Sequence, residues 1–132
     1  MPSNFVPEVT ALYAALLTLF YLLLTINVIR CRYRHQVGVG PGNKGEVQLP
    51  LRVHGNCAEY TPLALLLLLV MELMLVPTLW LYVLGGAFTL GRVLHAIGLG
   101  GSAGTSFGRM AGMLLTIGYL LISALLLLLL AL

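Results

Sequence analysis

Residues 52–76 read R-V-H-G-N-C-A-E-Y-T-P-L-A-L-L-L-L-L-V-M-E-L-M-L-V, a short polar run that passes directly into leucine. A helix of about 20 mostly apolar residues crosses a bilayer, so the stretch is predicted to be a membrane span over 53–76. Arg52, Asn56 and Glu59 lie at i, i+4 and i+7 and share one helix face, with Tyr60 beside them. Ionisable groups on such a helix are costly unless they face a partner, a polar cavity or a ligand. This segment is therefore the first place to look for a functional site.

Three more spans follow from the same criterion. Residues 9–30 carry no charge until Arg30, which opens the basic cluster Arg30, Arg32, Arg34. Pro77 marks a tight turn after the second span, so a third is expected over 78–98 and antiparallel to it. Residues 109–131 form the fourth, uncharged after Arg109. Residues 35–50 and 98–108, both rich in glycine, read as loops. The second lacks the lysine of a phosphate-binding loop. The expected fold is all-α: one integral membrane domain over 1–132, a four-helix bundle of up-down topology. The first segment has no basic leader and is too long for a signal peptide, so it is expected to remain as a span.

Composition supports this and removes several function classes. The chain is 60% hydrophobic and 8% charged, where a soluble domain carries roughly 25% charged residues. No basic run with interleaved aromatics points to nucleic acid. Cys31 and Cys57 make no disulfide framework, and the three histidines fit no zinc signature. Arg30, Arg32, Arg34, Lys44 and Arg52 surround the first loop, while Arg92 and Arg109 flank the third. The positive-inside rule then places both loops in the cytoplasm. Trp80 and Tyr82 fall at the opposite interface.

Alternating topology brings the ends bearing Arg30, Arg52, Asn56, Glu59, Tyr60, Arg92, His95 and Arg109 to one side of the membrane. Several cations with one carboxylate suit a small anionic ligand, because guanidinium grips carboxylate bidentately. Arg92 and Glu59 can also be read as an ion pair between helices, and His95 as a helix-end histidine bonded to a carbonyl. Glu72, near the far end of span two, reads as an interface residue or a contact between helices.

The run R-V-H-G-N-C-A-E-Y-T-P (Arg52 to Pro62), with four spans and the later G-R-V-L-H-A-I-G (Gly91 to Gly98), resembles the membrane-associated proteins in eicosanoid and glutathione metabolism, the MAPEG family. Chain length and the second motif are similar to the small bacterial members, and the likeness covers most of the chain. The resemblance implies a homotrimer with glutathione as co-substrate at the cytoplasmic end of each interface, in a multi-pass protein of a bacterial inner membrane. It implies that Arg52, Asn56, Glu59, Tyr60, Arg92 and His95 bind glutathione. Arg109, or failing that Arg30, would stabilise its thiolate. A glutathione transferase, with a possible peroxidase activity, would take its hydrophobic electrophile from the lipid. The alternative is a non-catalytic lipid-binding or scaffold member. Gly55 and Leu99 depart from the arginine and tyrosine of eicosanoid-forming members, so a transferase is the better expectation than an eicosanoid isomerase.

Overall fold

Uninterrupted leucine-rich segments can satisfy their backbone only within themselves once inside lipid, and all four are helical. The computed structural model describes residues 5–101 and 106–132. Its elements are α1 (Glu8–His35), α2 (Gly45–Leu73), α3 (Thr78–Gly101) and α4 (Phe107–Ala131). Each is long and apolar enough to cross a membrane. At 1.5 Å per residue α1 and α2 run about 42 Å, longer than a hydrocarbon core of about 30 Å. They therefore extend beyond the apolar slab.

Helices α2 and α3 form the centre of the bundle, each touching the other three; α1 and α4 both reach α2 and α3. Leu17, Leu68, Met71, Leu81, Phe88 and Tyr119 pack between the helices. Leucines such as Leu19, Leu23, Leu114 and Leu129 point outward, as a lipid-facing surface requires.

Three polar contacts fasten α1 to α2 at successive depths. At one end Pro7 offers α1 no side-chain cap, which leaves the first helical N–H groups without acceptors. The Glu72 carboxylate takes two of them, Val9 N–H at 2.9 Å and Thr10 N–H at 2.7 Å. A buried anion thereby sits on the positive end of the α1 dipole. Of the two roles expected for Glu72, the contact between helices is the one found. Further along, Thr25 donates its hydroxyl to Tyr21 C=O at 2.9 Å. Having spent its only proton, it accepts from His54 Nε2–H at 3.0 Å. The His54 ring also lies 4.6 Å from that of Tyr21.

The third contact explains why α2 begins earlier than expected. Residues 45–50 read as loop because of Gly45 and Pro50, yet α2 starts at Gly45 and continues through Pro50. Pro50 lacks the N–H that would bond the Glu46 carbonyl. The Cys31 thiol donates to that carbonyl instead, at 3.1 Å. One lost bond near a helix start is tolerable when its acceptor is re-satisfied from α1. The loop expected over 98–108 also narrows, since α3 reaches Gly101 and α4 starts at Phe107. Residues 102–105 of that expected loop lie outside the described residues.

Helices α3 and α4 approach closely through small residues. A Cβ on Gly112 would sit 2.5 Å from Gly91 C=O and 2.6 Å from His95 N. Gly108 and Gly112 form a small-xxx-small face of the kind that lets backbones meet in membranes.

Between α2 and α3 the chain reverses where Pro77 predicted it. Leu75 N–H bonds to Glu72 C=O at 3.0 Å and Val76 N–H to Met71 C=O at 3.1 Å. This is a Schellman closure whose left-handed position, φ 59°, holds leucine rather than glycine. Leu75 is largely exposed, so little packing offsets the strain. Leu75→Gly should raise thermal stability in detergent by about 1 kcal/mol. An unchanged or lower unfolding midpoint would contradict the strained closure.

Candidate functional site

Beside the buried Arg92, and open at the end of the bundle that carries the basic residues, lies a cavity of about 500 Å³, within the range of small-ligand sites. Gly45, Gln48, Leu49, Arg52 and Asn56 of α2 line it, with His95 and Leu99 of α3 and Arg109 of α4. Four of the eight residues predicted from sequence therefore meet in one place. No carboxylate stands among the described lining residues.

Each wall follows from local structure. Gly45, Gln48, Leu49, Arg52 and Asn56 recur at three- and four-residue intervals and form one stripe of α2. The close approach of α3 and α4 sets His95 and Leu99 against the first turn of α4. Ser106 caps that turn by accepting from Arg109 N–H at 3.3 Å, which fixes where the Arg109 side chain leaves the helix. A cation on a helix N-terminus adds to its positive end; here the two charges of like sign flank a cavity. His95 is buried, lines the cavity, and makes no side-chain hydrogen bond to a described residue.

Arg92 and Tyr60 stand behind the cavity rather than in its lining. Arg92 is only 2% exposed. Its Nε donates to Thr116 Oγ1 at 3.0 Å, and a terminal nitrogen donates to the same oxygen. The other terminal nitrogen donates to Asn56 Oδ1. The guanidinium carbon lies 5.2 Å from the Tyr60 ring centre and 5.9 Å from that of Phe88, both within cation–π reach. Arg92 thus takes neutral oxygens and aromatic faces, and no ion pair with Glu59 forms among the described residues. Glu59 and Arg30 are exposed on the outer surface of the bundle and do not line the cavity.

Sequence reasoning passed over Gln48, Thr116, Met113 and Phe88. Thr116 had a signal. Gly112, Thr116, Tyr119 and Ser123 recur at helical spacing through a leucine-rich segment, and they are the buried residues of α4. The small and hydroxylated positions mark the inward face.

Fold and site together define a multi-pass integral membrane protein with a cation-lined cavity at one end of a four-helix bundle. The chain belongs to the MAPEG family, whose model matches residues 10–129. It is similar to the Inner membrane protein YecN of Escherichia coli K12, with 37% identity over 90 residues, 68% of this chain and 69% of that one. It is also similar to the Uncharacterized protein sll1147 of Synechocystis, with 35% identity over 128 residues, 84% of this chain and 85% of that one. No solved structure matches the chain.

Thr116 accepts from two guanidinium nitrogens and passes its own proton to Gly112 C=O at 2.8 Å. Thr116→Val keeps the shape but leaves buried charged donors unmet, so it should lower stability by about 1.5–3 kcal/mol. Thermal unfolding in detergent measures this, and a midpoint within error of wild type would contradict the network.

Proposed function

We propose that the protein is a membrane glutathione transferase that binds glutathione in the cavity beside Arg92. The observation that carries the reading is the charge of that cavity: Arg52 and Arg109 in its lining, Arg92 behind it, and no carboxylate among the described lining residues. Such a site favours a small ligand bearing carboxylates, and membership of the MAPEG family makes glutathione the first candidate. Arg52 meets a carboxylate in the bidentate geometry that guanidinium favours. Asn56 holds a peptide group or carboxylate oxygen, and His95 offers a ring nitrogen.

Chemistry requires the thiolate. A free thiol has a pKa of about 8.5. Lowering it by about two units takes about 2.7 kcal/mol of preferential stabilisation of the anion. One guanidinium in a partly desolvated site supplies this order of energy. Arg109, beside the α4 N-terminus, is the first choice for that role. The thiol proton leaves to solvent. The sulfur then forms a bond to the electrophilic carbon of a hydrophobic substrate that arrives from the lipid. A leaving group departs from that carbon with its bonding pair or, at an activated double bond, the π pair shifts away and is protonated by water. With a lipid hydroperoxide as acceptor the same thiolate would take the terminal oxygen as a sulfenic acid and release the lipid alcohol. A second glutathione would then form the disulfide with loss of water.

Arg30 and Glu59 fit this reading only in an assembly. Both are exposed on the outer surface, where a neighbouring copy in a homotrimer would bring them against a cavity. The basic cluster around the first loop favours a cytoplasmic position for that end, where glutathione is available.

Glutathione titrated into detergent-solubilised protein should give a saturable thiolate difference absorbance in the ultraviolet. Arg52→Ala should weaken affinity about tenfold, the loss of one charge-assisted pair. Arg109→Ala should abolish the thiolate signal while most of the affinity remains. Binding without thiolate in the wild type would favour the non-catalytic lipid-binding alternative. No binding at millimolar glutathione would overturn the proposal.

A further inference from the structure

We propose that Arg92 is a positioning residue: it turns the Asn56 side-chain amide so that the N–H bonds face the cavity and the oxygen faces away. This rests on the glutathione reading for the ligand, but the orientation itself is a property of the free protein.

The argument begins with donor counting. A guanidinium only donates and cannot accept. The atom of Asn56 that meets Arg92 must therefore be Oδ1, as found. Reversing the amide would set N–H against N–H, so hydrogen-bond chemistry decides the orientation. Asn56 lines the cavity and Arg92 does not. With its oxygen held toward Arg92, the Asn56 nitrogen is left for the cavity side.

Arg92 is in turn fixed from behind. Thr116 donates to Gly112 C=O at 2.8 Å, so its oxygen is free to accept from Arg92. Met113 sulfur lies 3.5 Å from a terminal nitrogen, and the rings of Tyr60 and Phe88 bound the guanidinium. Every hydrogen bond in the chain from Gly112 through Thr116 and Arg92 to Asn56 is directed. Its last member presents donors. The Asn56 and Arg52 side of the cavity then presents N–H groups, so it selects carboxylate or carbonyl oxygen and rejects a donor at that point. An asparagine free to flip would accept either.

A thermodynamic cycle on the full-length protein in detergent tests this, with glutathione affinity measured by calorimetry for wild type, Arg92→Lys, Asn56→Ala and the double variant. Arg92→Lys alone should weaken binding about tenfold, and in the Asn56→Ala background by less than about twofold, since coupled residues are not additive. Additive losses would overturn the proposal by making Arg92 a direct ligand contact. Should Arg92→Lys fail to fold, Thr116→Val in both backgrounds must show the same non-additivity. Asn56→Asp keeps an acceptor for Arg92 but turns an acceptor to the cavity, so it should bind at least as weakly as Asn56→Ala. Binding equal to wild type would overturn the proposal. A final arm needs no ligand. In protein labelled with 15N at its four asparagines, the Asn56 side-chain amide signals should move toward free-amide positions on Arg92→Met, which removes every donor. Signals that stay in place would overturn the orientation. If wild type binds no glutathione, the proposed function fails, while this arm still decides the role of Arg92.

Discussion

A guanidinium inside a bundle that spans lipid has to find all its partners within the protein, and Arg92 sets the geometry around it. It stands on α3 and draws an amide from α2 and a hydroxyl from α4. Aromatic faces from α2 and α3 cover the rest of its charge. Hydrogen bonds to a charged group contribute about 1.5–3 kcal/mol each, and a buried charge left without them costs more. The network forms only because Gly91 and Gly112 let α3 and α4 meet at backbone distance. A side chain at either glycine would push Thr116 out of reach of Arg92. Packing of small residues therefore comes first, the buried network second, and the cavity in front of Asn56 is its consequence.

The opposite end of the molecule uses one anion in a comparable way. Glu72 supplies the acceptors that Pro7 withholds from α1, and it is itself part of the turn that starts α3. Helix α1 is thus fastened to α2 at both ends and in between, by Glu72, His54 and Cys31, while its outer face stays leucine-rich. Each of these contacts repairs a backbone or side-chain group that the lipid would leave unmet.

Hydropathy made the spans legible, and Pro77 marked the turn between the second and third. Arg52 and Asn56 were legible as a stripe, and both line the cavity. The stripe could not say which of its edges turned inward. Glu59, about two turns from Arg52, emerges on the outer surface, because helical periodicity fixes a face only to within a wide arc. The start of α2 was hidden by Pro50, whose cost is offset by a thiol distant in sequence. The Arg92 partners were hidden for a related reason. A single threonine within a leucine-rich run signals little until the neighbouring helix is known. What stayed unreadable was pairing between helices, since sequence spacing carries only the pattern within each one.

The central claim is that the cavity recognises the carboxylates of glutathione. The most direct measurement compares, by calorimetry on the same detergent-solubilised protein, glutathione with its diester, in which both carboxylates are neutralised. The account predicts saturable binding of glutathione and at least a hundredfold weaker binding of the diester, the loss expected for two charge-assisted contacts at about 1.5 kcal/mol each. Equal affinity for the two, or binding of neither, would contradict it.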